Sequence, residues 1–302
     1  MSEKAISVAM TTCNGEQFLS KQLDSILSQT LQPSEIIICD DVSSDKTIEI
    51  LKHYQKNYGI LLFLNEHRLG VVNNFKKAVS LAKPGNYIAL CDQDDIWLPK
   101  KLEMSSIVLS EIDDCMIPAM VYSDLIVIDQ HDNVLSSSLN NELGFDKYQH
   151  CLSTLLFGNF ALGCTVMMNS KMREFFNDIP GDYSFIHDAW ITLIAYSFGK
   201  VASLQQPYIL YRKHKHNVTF SNHVKSKRID RAIHHLKSVF VQNNYLHEQF
   251  ILLEIFYSMY QHLLTESQIN AIMTVLKLEN TSYIKKKIVF EKLFKNKWIN
   301  RF

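Results

Sequence analysis

The stretch Tyr87-Ile88-Ala89-Leu90-Cys91-Asp92-Gln93-Asp94-Asp95-Ile96-Trp97-Leu98-Pro99 decides how the chain is read. Tyr87 to Leu90 is a short apolar run of the length of a buried strand, and it empties into a turn where Asp92, Asp94 and Asp95 crowd together. Carboxylates a few ångström apart raise one another's pKa, so such a turn calls for a cation. Asp92 and Asp94, two apart, offer hard oxygen donors. These suit Mg²⁺ or Mn²⁺ holding a diphosphate, whereas zinc prefers His and Cys. The competing reading is an acidic turn that caps a helix beginning near Lys100.

Working back from this turn, the same order of elements recurs. Ala5 to Met10 is an apolar run ending in Thr11-Thr12-Cys13-Asn14-Gly15, and Phe18, Leu19, Leu23, Ile26 and Leu27 then follow at helical spacing. Glu35 to Cys39 is a second strand, ending in Asp40-Asp41-Val42-Ser43-Ser44-Asp45 and leading to a helix marked by Ile48, Ile50, Leu51 and Tyr54. Ile60 to Leu64 is a third, followed by a loop through Asn65 and Gly70 and a helix bearing Phe75, Val79 and Leu81. Strands of continuous apolarity that alternate with helices predict a parallel sheet covered on both faces. Ligands of such sheets bind beyond the carboxyl ends of the strands, where Thr11, Asp40, Asp41 and Asp92 to Asp95 all fall.

Beyond Pro99 the pattern predicts one strand over Val121 to Asp129, a helical stretch around Leu152 to Phe157, a strand over Cys164 to Met168 and a buried helix over Asp188 to Tyr196. Two short strands around Val201 and Tyr208 to Tyr211 lead into Arg212-Lys213-His214-Lys215-His216-Asn217. From Ser226 onward Ile229, Ile233, Leu236 and Phe240 repeat at helical spacing. The expected organisation is one domain over residues 1–220 and a helical C-terminal extension over 221–302 that packs on it.

Composition narrows the class. The 31 basic residues balance 31 acidic ones among 302, so no global field draws the chain to nucleic acid. The six cysteines are scattered without a CxxC pair, which predicts reduced, buried thiols rather than a disulfide framework or a zinc site. No stretch reaches the roughly 18 apolar residues that cross a bilayer, and the N-terminus lacks the apolar core of a signal peptide. The expected compartment is the cytosol. The last stretch interleaves Lys285, Lys286, Lys287, Lys292, Lys295, Lys297, Trp298 and Arg301 with Ile288, Val289, Phe290, Leu293 and Phe294. Such a tail can rest on the anionic inner face of the cell membrane, and a solvated helix face is the competing reading.

Taken together, Thr12-Cys13-Asn14-Gly15, Cys39-Asp40-Asp41-Val42-Ser43-Ser44-Asp45 and Asp92-Gln93-Asp94-Asp95-Ile96-Trp97-Leu98-Pro99-Lys100-Lys101-Leu102 resemble the inverting family 2 glycosyltransferases of the GT-A fold. The resemblance runs from about Ile6 to about Asn217. Asp-Gln-Asp-Asp-Ile-Trp, His187-Asp188-Ala189-Trp190 and Tyr211-Arg212-Lys213-His214 look most like its rhamnosyltransferase-like branch, which builds bacterial surface polysaccharides.

The resemblance implies roles residue by residue. Thr11, Thr12 and Asn14 would line the nucleoside pocket, and Asp41 with Asp40 would accept the pyrimidine N3–H, as an ionised carboxylate can. Asn65, Arg68 and Gly70 match a loop beside the nucleotide. Asp92 and Asp94 match the DxD element, Asp94 as the direct ligand of Mn²⁺ or Mg²⁺ and Asp92 nearer the sugar. Gln93 lies inside this donor-binding element, and Asp95 would orient the sugar or cap the helix. Asp188 matches the catalytic base that takes the acceptor proton. The family usually has Glu-Asp there, and this chain has His187-Asp188. Arg212 and His214 sit where the family closes over the diphosphate, His214 within reach of the metal.

The function expected is transfer of rhamnose from dTDP-rhamnose to a glycan or lipid-linked saccharide, with a UDP-glucose, UDP-galactose or N-acetylhexosamine donor as the alternative. A sugar-1-phosphate nucleotidyltransferase would need a glycine-rich, Arg-containing loop after Met10, which is absent. A glycan-binding relic of the fold is opposed by the presence of Asp92, Asp94 and Asp188 together.

Overall fold

The computed structural model describes residues 4–181, 187–204, 206–215, 217 and 246–295. They group into two compact units: Met1–Leu143 with Ala161–Arg212, and Gly144–Phe160 with Lys213–Phe302. The helical pattern expected from Ser226 to Phe240 lies outside the described residues, as do Lys297, Trp298 and Arg301.

In the first unit the strands run β1 (Ile6–Thr12), β2 (Glu35–Asp40), β3 (Leu61–Leu64), β4 (Tyr87–Cys91), β5 (Ile96–Trp97), β6 (Ala119–Tyr122), β7 (Ile126–Ile128), β8 (Val134–Ser136), β9 (Met167–Met168), β10 (Lys200–Ser203) and β11 (Ile209–Arg212). The main sheet has seven strands in the order β10-β6-β9-β4-β1-β2-β3. Its neighbours are parallel except β9, which runs against both β4 and β6. β2 and β4 are buried along their whole length and β1 at all but Thr11, which is why Val8–Met10, Ile36–Cys39 and Tyr87–Cys91 are continuous apolar runs rather than alternating ones. The register pairs Met10 with Cys91 and Thr12 with Asp40, so the carboxyl ends of β1, β2 and β4 open side by side.

The single strand expected over Val121 to Asp129 is two strands in different sheets. The break is made by Asp124, whose carboxylate accepts hydrogen bonds from the backbone N–H groups of Leu125 (2.8 Å), Leu139 (3.1 Å) and Asn140 (3.1 Å) and from the Ser138 hydroxyl (2.5 Å). A short carboxylate that offers the backbone this alternative pulls it out of the ladder. After the break β7 joins a second, four-stranded sheet in the order β5-β11-β7-β8. β9 is likewise shorter than expected. Gly163–Thr165 form a 3₁₀ turn, and only Met167–Met168 pair as a strand.

The second unit holds helices His247–Tyr260, Glu266–Leu276 and Tyr283–Lys295, with a short turn of helix at Leu152–Leu155. Phe250, Leu252, Leu253, Phe256, Ile272 and Val275 are buried in it. Thr265 and Gln268 cap the middle helix reciprocally, the Gln268 N–H donating to the Thr265 hydroxyl (3.3 Å) and the Thr265 N–H to Gln268 Oε1 (2.8 Å). Among the described residues no helix is long and apolar enough to cross a membrane.

Candidate active site

The loops after β1 and β2 are welded together by short polar side chains. Asp40 is buried and accepts from the Thr12 hydroxyl (2.7 Å), the Ser43 hydroxyl (2.6 Å) and the Ser43 N–H (2.9 Å). Ser43 Oγ in turn accepts the Asn14 N–H (2.8 Å), and Asn14 Oδ1 accepts the Ser44 N–H (2.8 Å). Thr12, Asn14 and Asp40 therefore shape the paired loops after β1 and β2 from within, with Thr11 half-buried at their edge. Asp41 reaches the other way. Its Oδ1 accepts from Asn65 Nδ2 (3.0 Å) and the Leu69 N–H (2.7 Å), and its Oδ2 from the Gly70 N–H (3.0 Å), at the start of the helix Gly70–Leu81. Two carboxylate oxygens have about four acceptor sites, so a place on Oδ2 is left for a further donor. Arg68 stands exposed in the same loop, where its charge acts on Cys13.

Gln93 joins the acidic turn to the first loop. Its Oε1 accepts the Cys13 N–H (2.8 Å) and its Nε2 donates to the Cys13 carbonyl (3.0 Å). This clamp explains Gly15, since a Cβ there would stand 2.3 Å from Gln93 Oε1. A sequence reading that placed Gln93 among the donor ligands finds it spent on the protein's own backbone.

The acids of the turn face different surroundings. Asp95 is fully buried; its Oδ1 accepts the Arg212 backbone N–H (3.0 Å), and its Oδ2 has no partner but the Cys164 thiol beside it. Burial and the charges of Asp94 and Asp92 hold the Asp95 carboxyl well above the usual range. Burial, with the charges of Asp94 and Asp188, pushes Asp92 up to about 7. Asp94 is half-exposed beside them. Beneath the turn lies the buried Lys101, its ammonium 3.5 Å from the centre of the Trp97 ring and held down to about 8 by burial.

Sequence spacing put the metal on Asp92 and Asp94. Among the described residues, the structure brings donor atoms of Asp92, Asp95 and Cys164 within 4.8 Å of one another. The carboxylate oxygens fit a hard divalent cation, whose charge would offset the crowding that raises both acids. Burial, with the charges of Asp95 and Asp92, holds the Cys164 thiol well above its ordinary pKa. Nothing in the spacing announced Cys164, because the 3₁₀ turn that carries it meets the acids only through tertiary packing.

Asp188 opens the helix His187–Phe198, and its charge reaches Asp92. Its Oδ1 accepts the Ala189 N–H (2.7 Å) and its Oδ2 the Gly163 N–H (3.2 Å). Gly163 is required there, since a Cβ would lie 2.7 Å from His187 Nε2. His187 itself is buried, its ring centre 4.2 Å from that of Phe75 and 5.9 Å from that of Phe176, and neither ring nitrogen has a hydrogen-bond partner.

Burial lowers the His187 pKa to about 3. The unfolded chain takes up a proton at this residue below about pH 6.5 and the native state only below about 3, so its contribution to stability is whole above 6.5 and declines on acidification. At pH 5 the loss amounts to about 2 kcal/mol. His187→Leu should remove it. Urea unfolding of both proteins at pH 7.5 and pH 5.0 checks this, the variant gaining about 2 kcal/mol on wild type at the lower pH. An unchanged difference between the two proteins would mean that His187 is not held neutral.

Arg212, expected at a diphosphate, is fully buried under the turn. It donates from Nε to the Asp94 carbonyl (2.8 Å) and from Nη1 to the Asp129 carbonyl (3.1 Å), pairs with Asp132, and lies 4.5 Å from the centre of the Phe18 ring. His214 belongs to the second unit, where its backbone N–H donates to Asn217 Oδ1 (2.5 Å).

A mostly parallel sheet with polar loops after β1 and β2, an acidic turn after β4 and a carboxylate at the start of a helix is the architecture of the GT-A fold. The chain overlays S. aureus TarS, solved with UDP-GlcNAc, at a TM-score of 0.57 over 90% of this chain and 79% of that one, with 18% identity. Residues 7–142 match Glycosyl transferase family 2. An uncharacterised glycosyltransferase of Methanocaldococcus jannaschii is 30% identical over 70% of this chain and 72% of its own length. The chain belongs to glycosyl transferase family 2. It is also similar to the UDP-Glc:alpha-D-GlcNAc-diphosphoundecaprenol beta-1,3-glucosyltransferase of Escherichia coli, at 27% identity over 64% of this chain and 71% of the relative. The dTDP-rhamnosyl transferase RfbG of Shigella flexneri matches at 27% over 70% and 74%.

Proposed function

We propose that the chain is a metal-dependent inverting transferase that moves a sugar from a pyrimidine nucleoside diphosphate to a lipid-linked saccharide of a bacterial surface polysaccharide. The observation that carries this is the meeting of two kinds of carboxylate: the crowded Asp92 and Asp95, suited to a cation, and Asp188, fixed at a helix mouth within electrostatic reach of Asp92. dTDP-rhamnose is the favoured donor, from the motif details shared with the rhamnosyltransferase-like branch and the likeness to the Shigella enzyme. UDP-glucose is the second reading, supported by the likeness to the E. coli enzyme.

Inversion needs the acceptor hydroxyl to attack the anomeric carbon opposite the leaving diphosphate, with a base at hand for its proton. Asp188 is that base, and its two backbone hydrogen bonds hold its orientation. Mn²⁺ or Mg²⁺, held by Asp92 and Asp95 with Asp94 beside them, would supply Lewis-acid stabilisation of the departing phosphate charge. Asp41 offers its remaining acceptor site to the pyrimidine N3–H. The second unit bears the membrane contact: on Tyr283–Lys295, Ile284 is 67% and Ile288 48% exposed beside the exposed Lys285 and Lys287.

The test is nucleotide binding with and without the cation. Wild type with Mn²⁺ and dTDP or UDP at 100 times Kd should gain about 2.7 kcal/mol in thermal stability, and Asp94→Ala should lose that gain while folding normally. If Asp94→Ala kept wild-type metal affinity, Asp94 would be no ligand. If neither nucleotide stabilised wild type, the transferase reading itself would fall.

A further inference from the structure

Lys101 is a buried charge that the transfer chemistry leaves unused. It is the first residue of the helix Lys101–Ile112, is 1% exposed, and its Nζ has no hydrogen-bond partner among the described residues. Two costs meet at this position. An ammonium at the start of a helix opposes the helix dipole, and one shut away from water loses its hydration. The Trp97 ring, 3.5 Å from the ammonium, offsets part of this. A methionine would fill the same space and pack on the same ring without either cost.

The charge itself therefore needs an explanation, and its surroundings contain one. Among the described residues, the groups whose fields reach Lys101 are Cys91, Cys164 and Asp95. Burial holds both thiols well above their ordinary pKa, so they stay neutral, and Asp95 is the carboxylate of the three. Burial lowers Lys101 no further than about 8, which leaves it cationic at pH 7. A positive charge thus acts on the acidic turn from inside the protein.

Such a charge acts with opposite sign on the two forms in which a divalent ion can arrive. It repels the bare cation. A nucleoside diphosphate carries more negative charge than one divalent cation cancels, so the complex of the two is an anion, and the same charge attracts it. We infer that Lys101 is a specificity-determining charge, which weakens binding of the bare divalent cation at the acidic turn and favours the cation that comes with the nucleoside diphosphate. The inference rests on the reading of Asp92 and Asp95 as cation ligands and deepens it. Lys101 acts through the turn by its field and takes no part in proton transfer.

The test titrates Mn²⁺ into the full chain at pH 7, alone and then with UDP or dTDP, following the paramagnetic resonance signal of the free ion. Wild type should bind Mn²⁺ at least about tenfold more weakly alone than with nucleotide, and equal affinities overturn the inference whatever the variants do. Lys101→Met should tighten bare Mn²⁺ about tenfold and weaken the Mn²⁺ complex of the nucleotide about threefold, and Lys101→Gln, the second neutral variant, should follow it. A residue that merely packs under the turn moves both ligands in the same direction. The inference is overturned if the neutral variants bind bare Mn²⁺ no tighter than wild type, or if both ligands shift together. Nucleotide-dependent Mn²⁺ binding by wild type, with bare-ion affinity unchanged in the neutral variants, sinks this inference alone. If no protein binds Mn²⁺ with or without nucleotide, the reading of the acids as cation ligands falls and takes the inference with it.

Discussion

Asp188→Asn should lower turnover by roughly 10²–10⁴-fold while leaving donor and metal binding near wild type, the usual weight of a general base. The amide keeps the shape of the carboxylate and its oxygen can still accept the Ala189 N–H. Its NH₂ cannot accept the Gly163 N–H that Asp188 Oδ2 now takes at 3.2 Å, so a stability loss of about 1 kcal/mol accompanies the change. A residue that only caps the helix predicts that same small loss with near-normal turnover. Measured kcat, donor affinity and urea midpoint therefore separate the two roles. Turnover within about threefold of wild type would remove Asp188 from the mechanism. The obvious substitutes are poor: Asp124 has its carboxylate spent on Ser138 and three backbone N–H groups, and His187 is enclosed by Phe75 and Phe176.

What was legible in the sequence follows from how each residue's partners are distributed. β1, β2 and β4 and the loops that leave them read off directly, because a strand buried on both faces writes itself as an apolar run and the turn chemistry follows at once. Asp40, Ser43 and Asn14 bond within or between two such loops, so motif order alone put them in one place. The contacts of Cys164, Arg212 and Gln93 were not legible because their partners are remote in sequence. Arg212 finds the Asp94 carbonyl across more than a hundred residues, and a basic residue after a strand looks the same whether it faces phosphate or plugs the floor. Likewise the apolar run from Val121 to Ile128 hides its break, since only the later Ser138-Leu139-Asn140 segment shows what Asp124 is for. Residues 144–160 grouping with the C-terminal helices is a relation of the same remote kind, carried by contacts such as Gln249 Nε2 to the Leu155 carbonyl (2.9 Å).

Arg212 gives the sharpest contrast between the two ways of reading a residue. A phosphate ligand, when replaced, raises the donor KM and leaves the fold alone. A buried strut does the reverse. In Arg212→Met the methionine fills part of the space over Phe18, and the backbone N–H keeps its bond to Asp95, but the Asp94 and Asp129 carbonyls lose their bonds from the guanidinium, Asp129 keeping that from the Asp132 N–H (3.2 Å). Asp132 is 34% exposed and resolvates at little cost, so the ion pair adds little to the balance. Two lost part-buried hydrogen bonds at about 0.5–1.5 kcal/mol each set the expected destabilisation at roughly 1–3 kcal/mol. That corresponds to a fall in Tm of about 2–12 °C at 2–4 °C per kcal/mol. Arg212→Lys should recover only part of it, because an ammonium cannot present the planar fork that serves two carbonyls at once. With the Asp94 carbonyl released, the acidic turn loses its anchor, so Mn²⁺-dependent nucleotide binding should weaken in step with stability across the Arg, Lys and Met series. If Tm held within about 1 °C of wild type while the donor KM rose, Arg212 would be a ligand of the diphosphate after all, reached by a movement of the turn that uncovers it.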